Sequence, residues 1–463
     1  MKKLTLIILI VFSFTTLLNA KSADYMKKII TLHNIISSGS MEYNATKDKD
    51  GYKLYIKSND PLFNKYLSSK PINIDVDEGP IVIKPKFTLA TAGLSAKGSI
   101  LDIFKPTLVK NLEKSLKSKA KYSYEGLVTF GGELEEQLRI DPIKLEGKDF
   151  TLESSKLISS SKFDLDTITG ENSIKVDNLH YTQKDTPLID TNLKAISTKV
   201  IVTQEPIDNI MLFSKFNFSV DRVHLNIKDR QLNQDLNFKI VLNGETKRID
   251  SKLLNLAFGY KIEALDEKTI ASFKGIKSSS FELNLNNLGI DGFLKLIKLQ
   301  KEYQKLNNSI LKASNNSNDV AMQKAILKTQ ELANNFVPIW NKLILKDKTK
   351  LKLNLELNGQ KRSFIKLDLL YKGKPLSGDV NSAFISLAAQ ELNLFNGDIE
   401  ILLDSTIAST INPFAIIGLE MAKSKGFITM ENGLYHLKAK LENGKIIING
   451  KSYTIVELGK AMF

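Results

Sequence analysis

The chain contains no cysteine. Disulfides, zinc–thiolate centres and thiol nucleophiles are therefore excluded. Histidine is scarce as well. His33, His180, His224 and His436 are the only four, and no two stand at a local metal-ligand spacing. Each reads as a structural residue. Arginine occupies only Arg139, Arg222, Arg230, Arg248 and Arg362, although Lys and Arg together number 65 and the formal charge is +14. Arginine dominates specific base reading. The lysines are spread along strands and helix faces, so the charge reads as a solvated lysine-rich surface rather than a nucleic-acid footprint. Attraction to anionic lipid headgroups is the functional alternative. The single tryptophan, Trp340, lies just past Pro338 and reads as a core anchor.

Long apolar runs are missing everywhere except at the N-terminus. Lys2 and Lys3 precede a 15-residue apolar run from Leu4 to Leu18, and Asn19-Ala20 offers a cleavage point. A spanning helix needs roughly 20 apolar residues. The expectation is an export signal over residues 1–20, with an uncleaved inner-membrane anchor as the alternative. Either way the remainder is expected to face the periplasm. Cleavage after Ala20 removes Lys2 and Lys3 and takes the charge from +14 to +12.

Motifs that carry chemistry are also lacking. There is no phosphate-binding loop, no dinucleotide-binding glycine fingerprint and no nucleophile elbow. Ser159 and Lys162 match S-x-x-K, but the partner motifs of that serine chemistry are absent. Asp75 and Asp77, and Asp164 and Asp166, are spaced to share one side of a strand. They fall in the polar phase of alternating segments, so a solvated face is expected rather than acid–base or calcium chemistry. Asp48-Lys49-Asp50-Gly51 opens like a calcium loop but lacks the later ligands, and reads as a turn. No catalytic, cofactor-binding or metal-binding residue is assigned, and no cofactor is expected.

What is abundant is alternation. With 463 residues and 42% apolar content the chain can build a real core in two or three domains, with one extended β-rich unit as the alternative. Tyr25, Ile29, Leu32 and Ile36 mark a short N-terminal helix; Phe104, Leu108, Leu112 and Leu116 mark a second over Leu101 to Lys119. Residues 122–286 are almost all strand signal: Phe216, Phe218 and Val220 alternate, then Val223, Leu225 and Ile227, then Leu236 to Leu242, stopped by Asn243-Gly244. A helical hairpin is expected near 291–337, its two helices joined by a loop at Ser314–Asn318 and broken at Pro338. Leu351 to Leu357 and Ile365 to Tyr371 form a hairpin around Asn358-Gly359, and a helix containing Pro413 leads into three closely spaced Asn-Gly turns at Asn432, Asn443 and Asn449. The expected class is α+β, mostly an extended and curved antiparallel sheet. The expected regions are 1–20, a β-rich 21–286, the hairpin 287–345, and an α+β 346–463 ending in a β-meander.

The closing segment carries a family resemblance. Lys425-Gly426-Phe427-Ile428, Glu431-Asn432-Gly433-Leu434-Tyr435, Leu441-Glu442-Asn443-Gly444-Lys445-Ile446 and Ile448-Asn449-Gly450-Lys451 resemble the C-terminal signature of the YdgA-like family of bacterial envelope proteins. Glu78-Gly79-Pro80, Tyr124-Glu125-Gly126, Pro142, Gly147 and the stretch Phe281 to Ile297 agree with it. The resemblance implies an envelope location, this fold class and a capacity for self-association, and it transfers no catalytic residue. The resulting expectation is a non-enzymatic envelope protein that binds a partner, a lipid or a membrane surface on a sheet face or groove. A homodimer is included among the partners and nucleic acid is not. An envelope hydrolase using distant carboxylates, or a purely structural homo-oligomer, is the alternative.

Overall fold

A computed structural model describes residues 28–32, 34, 41–48, 51–58, 67–83, 88–129, 131–208, 210–229, 233–315, 319–411 and 414–462. The expected signal or anchor over residues 1–20 lies outside them, as does His33. The expected N-terminal helix is described only at 28–32 and 34, where the chain is helical. The described residues form two units, 1–237 and 238–463. Both are dominated by antiparallel strands. In each unit the sheet is open and uncurled, which corrects the curved sheet expected.

In the first unit the strands are β1 (Met41–Asp48), β2 (Gly51–Ser58), β3 (Ile72–Ile83), β4 (Thr88–Ser99), β5 (Lys121–Thr129), β6 (Glu133–Ile140), β7 (Ile143–Glu146), β8 (Phe150–Ser154), β9 (Leu157–Asp164), β10 (Thr169–Gln183), β11 (Leu188–Ile207) and β12 (Met211–Lys228). β1 to β6 pair in sequence; β9 then joins β6 to β10, and β10 continues to β11 and β12. An exposed strand edge invites unwanted pairing. At β1 the Tyr43 N–H donates to Asn34 Oδ1 at 2.9 Å, and Asn34 Nδ2 donates back to the Tyr43 carbonyl at 3.3 Å. The second expected helix is shorter than its periodicity suggests. A 3₁₀ turn at Ile100–Ile103, capped by Ser99, precedes α1 (Pro106–Ser115), and Leu116 leaves the helix to bridge Leu145. Pro106 opens α1, where its missing N–H costs nothing.

One row of this sheet reverses the apolar phase. Ile174 and Val176 in β10, Ile196 in β11, and Phe218 and Val220 in β12 are even-numbered neighbours. Beyond Asp177, Ala195 and Asp221 the apolar neighbours become Leu179, Leu193 and Val223, all odd-numbered. Strict alternation would send the second set to the opposite face. In β11 the reversal falls at Ala195, which takes a φ of +51°, and Asp141-Pro142 and Ser155-Lys156 break β6–β7 and β8–β9 at the same row. In β10 both sets reach one core: Ile140, Ile143, Leu152, Leu157 and Ile174 are buried together, with Val176, Leu179 and Tyr181 packed against them.

The second unit holds most of β13 (Asn233–Arg248), then β14 (Leu253–Ala264), β15 (Ser278–Gly289), β16 (Lys350–Asn358), β17 (Arg362–Tyr371), β18 (Phe395–Asp404), β19 (Thr429–Glu431), β20 (Leu434–Glu442), β21 (Lys445–Ile448) and β22 (Lys451–Tyr453). β13 to β18 pair consecutively, β20 pairs with β18, β19 and β21 lie along β20, and β22 follows β21. The three C-terminal Asn-Gly pairs all have positive φ at both residues, between 50° and 78°, as two-residue hairpin turns require. Asn243-Gly244 is different. β13 runs straight through it, pairing Asn243 with Gly259 and Gly244 with Phe258. The turn signal is overridden there by cross-strand pairing on a strand that stays in register.

The helices are α2 (Glu267–Ser272), α3 (Ile290–Asn315), α4 (Asp319–Asn334), α5 (Phe336–Leu343), α6 (Val380–Gln390), α7 (Ser405–Ile411), α8 (Ala415–Ser424) and α9 (Ile455–Met462). Ser314 and Asn315 belong to α3 rather than to a loop, and Asn316 to Asn318 and Pro413 lie outside the described residues. The break expected at Pro338 falls earlier, at Asn335. Pro338 sits in the first turn of α5, where it needs no N–H partner.

An alanine with φ near +51° bears a Cβ–carbonyl clash of roughly 1–2 kcal/mol. Ala195→Gly is expected to raise stability by up to ~1 kcal/mol, and Ala195→Val to lower it by more than ~1 kcal/mol. Denaturant midpoints would check this; the reverse order would contradict the strained row.

Candidate functional site

The alternation in the second unit places its apolar residues in register. Leu242, Tyr260, Phe281, Leu355, Ile365 and Ile401 form one row across β13 to β18. Phe258, Leu283, Leu353, Leu367 and Ile399 form the next, with Gly244 opposite Phe258. At about 4.8 Å per strand the rows extend roughly 24 Å. Phe281 lies between two rings, with Tyr260 stacked on it at 5.7 Å and Phe258 tilted at 6.5 Å. A sheet face of this kind ordinarily packs on a second layer. Here the eleven side chains are only half-buried or exposed, Phe258 being 43% and Ile365 37% accessible. A contiguous apolar surface that keeps partial access to water is a candidate binding surface.

The two faces of this sheet differ in kind. Lys352 pairs with Asp368 at 2.8 Å, Arg362 with Glu356 at 2.5 Å, and Lys261 with Glu263 at 2.9 Å. The Arg362 and Asn358 hydrogen bonds hold the Glu356 carboxyl below its usual range. On the apolar face, Ile416, Leu419 and Ala422 of α8 and Leu458 of α9 pack beside Ile399, Leu403 and Leu437. These helices cover the β18–β20 end, and Phe273, just past α2, tilts against Phe238 of β13 at 6.1 Å, while the residues of the two rows between them stay only partly buried or exposed. A separate groove of about 510 Å³ lies among α3 to α6, walled by Leu296, Leu299, Tyr303, Leu332, Phe336 and Phe384. Trp340 lies beside it, tilted against Phe336 at 5.8 Å and packed on Val337, Leu376 and Ala383.

A second unusual feature lies in the first unit. Leu134, Glu136, Leu138 and Ile140 occupy the core phase of β6, and Glu136 is only 5% exposed. Ser161 of β9 stands opposite it, and Asn172 of β10 opposite Ser161. Tyr124 donates to Glu136 Oε2 at 3.0 Å, and Asn172 Nδ2 donates to Ser161 Oγ at 2.7 Å and Ser159 Oγ at 3.3 Å. Glu136 Oε1 accepts no hydrogen bond among the described residues. Burial pushes the carboxyl up to about 7, against the opposing pull of Tyr124 and Ser161. The same burial raises the Tyr124 hydroxyl well above its ordinary value. The acid is visible in the sequence only as a charge in an apolar phase.

The structure separates most of the residues that suggested chemistry. Ser159 is buried, while Lys162 pairs on the other face with Glu135 at 2.9 Å and Glu133 at 3.4 Å, so S-x-x-K is not a site. Asp164 ends β9 and accepts the N–H groups of Asp166 and Thr167 at 2.8 and 2.9 Å, which hold its carboxyl low. Asp166 lies in the following turn and pairs with Lys28, so these two acids do not share a strand face. Asp75 is exposed, and Asp77's side chain lies outside the described residues. Asp48 pairs with Gly51 across a turn whose middle residues are not described. His180, His224 and His436 each meet one carboxylate, Asp190 at 2.7 Å, Asp235 at 2.7 Å and Glu400 at 2.9 Å. Among the described residues no group of three or more His, Asp and Glu side chains could hold a metal ion, and no helix is long and apolar enough to cross a membrane.

The family model of a bacterial protein of unknown function, DUF945, matches residues 59–359. The chain belongs to the DUF945 family. The match takes in Glu136 and the apolar rows of β13 to β16, and ends before the Asn-Gly meander that carries the YdgA-like resemblance. No curated protein and no solved structure matches this DUF945 chain.

Glu136 makes its stability pH-dependent in a defined sense. Its carboxyl is raised from 4.5 to about 7, so the folded chain holds a proton that the unfolded chain releases. That contribution is complete below pH 4.5 and is lost as pH rises through about 7. The loss is on the order of 3 kcal/mol. Glu136→Gln should match the parent near pH 4.5 and exceed it by roughly that amount at pH 8 in denaturation curves. A difference that does not change with pH would contradict the assignment.

Proposed function

We propose that this protein is a non-enzymatic, periplasm-facing envelope protein of the YdgA-like kind that holds lipid acyl chains against the apolar face of β13 to β18. The observation that carries this reading is the half-exposure of eleven in-register apolar side chains. Full burial of such a side chain contributes roughly 1.5–3 kcal/mol, so completing burial of half-covered ones offers about 1 kcal/mol each. The sum, on the order of 10 kcal/mol as an upper bound, is comparable to the cost of immobilising a ligand. Acyl chains suit the face because it offers aromatic and aliphatic surface with no charged group in the two rows. The enzymatic alternative has less support: the groups acting on Glu136 are hydroxyls, with no second carboxylate among them. A second copy seated on the same face is the competing occupant.

Native mass spectrometry of the full chain released from mild detergent should show bound lipid. The triple variant Leu283→Gln, Leu353→Gln, Leu367→Gln should lose it while keeping the strand signature in circular dichroism. Lipid-free parent protein, a lipid-free dimer, or retention of lipid by the variant would each overturn the reading.

A further inference from the structure

The first half of α4 presents apolar residues to water. Val320 is 78% exposed, Leu327 61% and Ile326 46%. Val320 and Leu327 are seven residues apart and share one side of the helix, with Lys324 between them and Lys328 beside them, both exposed. Apolar side chains set among lysines are the pattern of a helix that lies in a membrane interface, where lysine stems stay in the apolar layer and ammonium groups reach the headgroups. The charge of the surrounding segment agrees. Between residues 290 and 343 eight lysines stand against four acidic residues, Asp291, Glu302, Asp319 and Glu331, a net +4 within a chain of +14. On α3 the lysines Lys298, Lys301 and Lys305 lie away from the groove-lining Leu296, Leu299 and Tyr303. A basic surface of this kind is drawn to anionic headgroups.

We infer that α4 is a membrane-docking element: Val320, Ile326 and Leu327 insert into the interface of an anionic bilayer, and the lysines of α3 and α4 meet its headgroups. This site is separate from the apolar sheet face, and either proposal can fail without the other.

Because the chain has no cysteine, a single Leu327→Cys substitution carries an environment-sensitive dye to the site alone. With vesicles of mixed phosphatidylglycerol and phosphatidylethanolamine, the dye emission should shift to the blue. A dye at Asn243→Cys, exposed on β13, should not respond. Pure phosphatidylcholine vesicles or high salt should reduce the α4 response at least tenfold. Lys324→Glu with Lys328→Glu should reduce it similarly without changing the circular dichroism. A silent dye at position 327 on vesicle-bound protein would overturn the proposal, because the bilayer contact would then lie elsewhere, including the N-terminal apolar run. A blue shift that grows with protein concentration in the absence of vesicles would overturn it too, assigning α4 to a second copy.

Discussion

The constraint on which the structure depends is that a strand's side chains alternate strictly between two faces. Once neighbouring strands are in register, alternation within each becomes a continuous row across all of them. In the second unit this aligns Leu353 with Leu283 on one side and Leu367 on the other, while Lys352 and Asp368 meet on the polar face. The outcome is a sheet with one wet face and one face that calls for a cover. Helices α8 and α9 cover one end. The apolar surface left over has a physical origin in the pattern and is the basis of the lipid-holding proposal.

Departures from alternation are as informative as alternation itself. Ala195 takes a positive φ in the row where β10, β11 and β12 all change from even to odd apolar positions, and in β10 both halves reach one core. Glu136 keeps the phase but violates its chemistry, placing a carboxyl among Tyr124, Ser161 and Asn172 where Leu or Val would pack. The first departure costs backbone strain. The second costs desolvation, and it appears as a proton retained to near-neutral pH.

Much of the architecture was legible. The strands at 351–357 and 365–371, and the Asn-Gly turns at Asn432, Asn443 and Asn449, follow from period-two patterns and turn chemistry that act over a few residues. The same local signal failed at Asn243-Gly244, because pairing with β14 outweighs a two-residue preference. It also overextended the helix before Lys119, since Leu116 serves a bridge to Leu145 rather than a helical stripe. The site was legible only in outline. Amphipathic strands announced an apolar face, but whether a second layer covers it is a tertiary property. Glu136 and the exposed side of α4 needed coordinates, because one acid in an apolar phase, or one leucine beside a lysine, is common in any sequence.

The central claim is that the apolar face of β13 to β18 is occupied by lipid rather than by protein. Photo-crosslinking in living cells from a benzophenone side chain at Leu353, at the centre of that face, tests it most directly. The predicted result is adducts whose added mass is that of a lipid. Adducts exclusively to protein, whether a second copy or another partner, would contradict it.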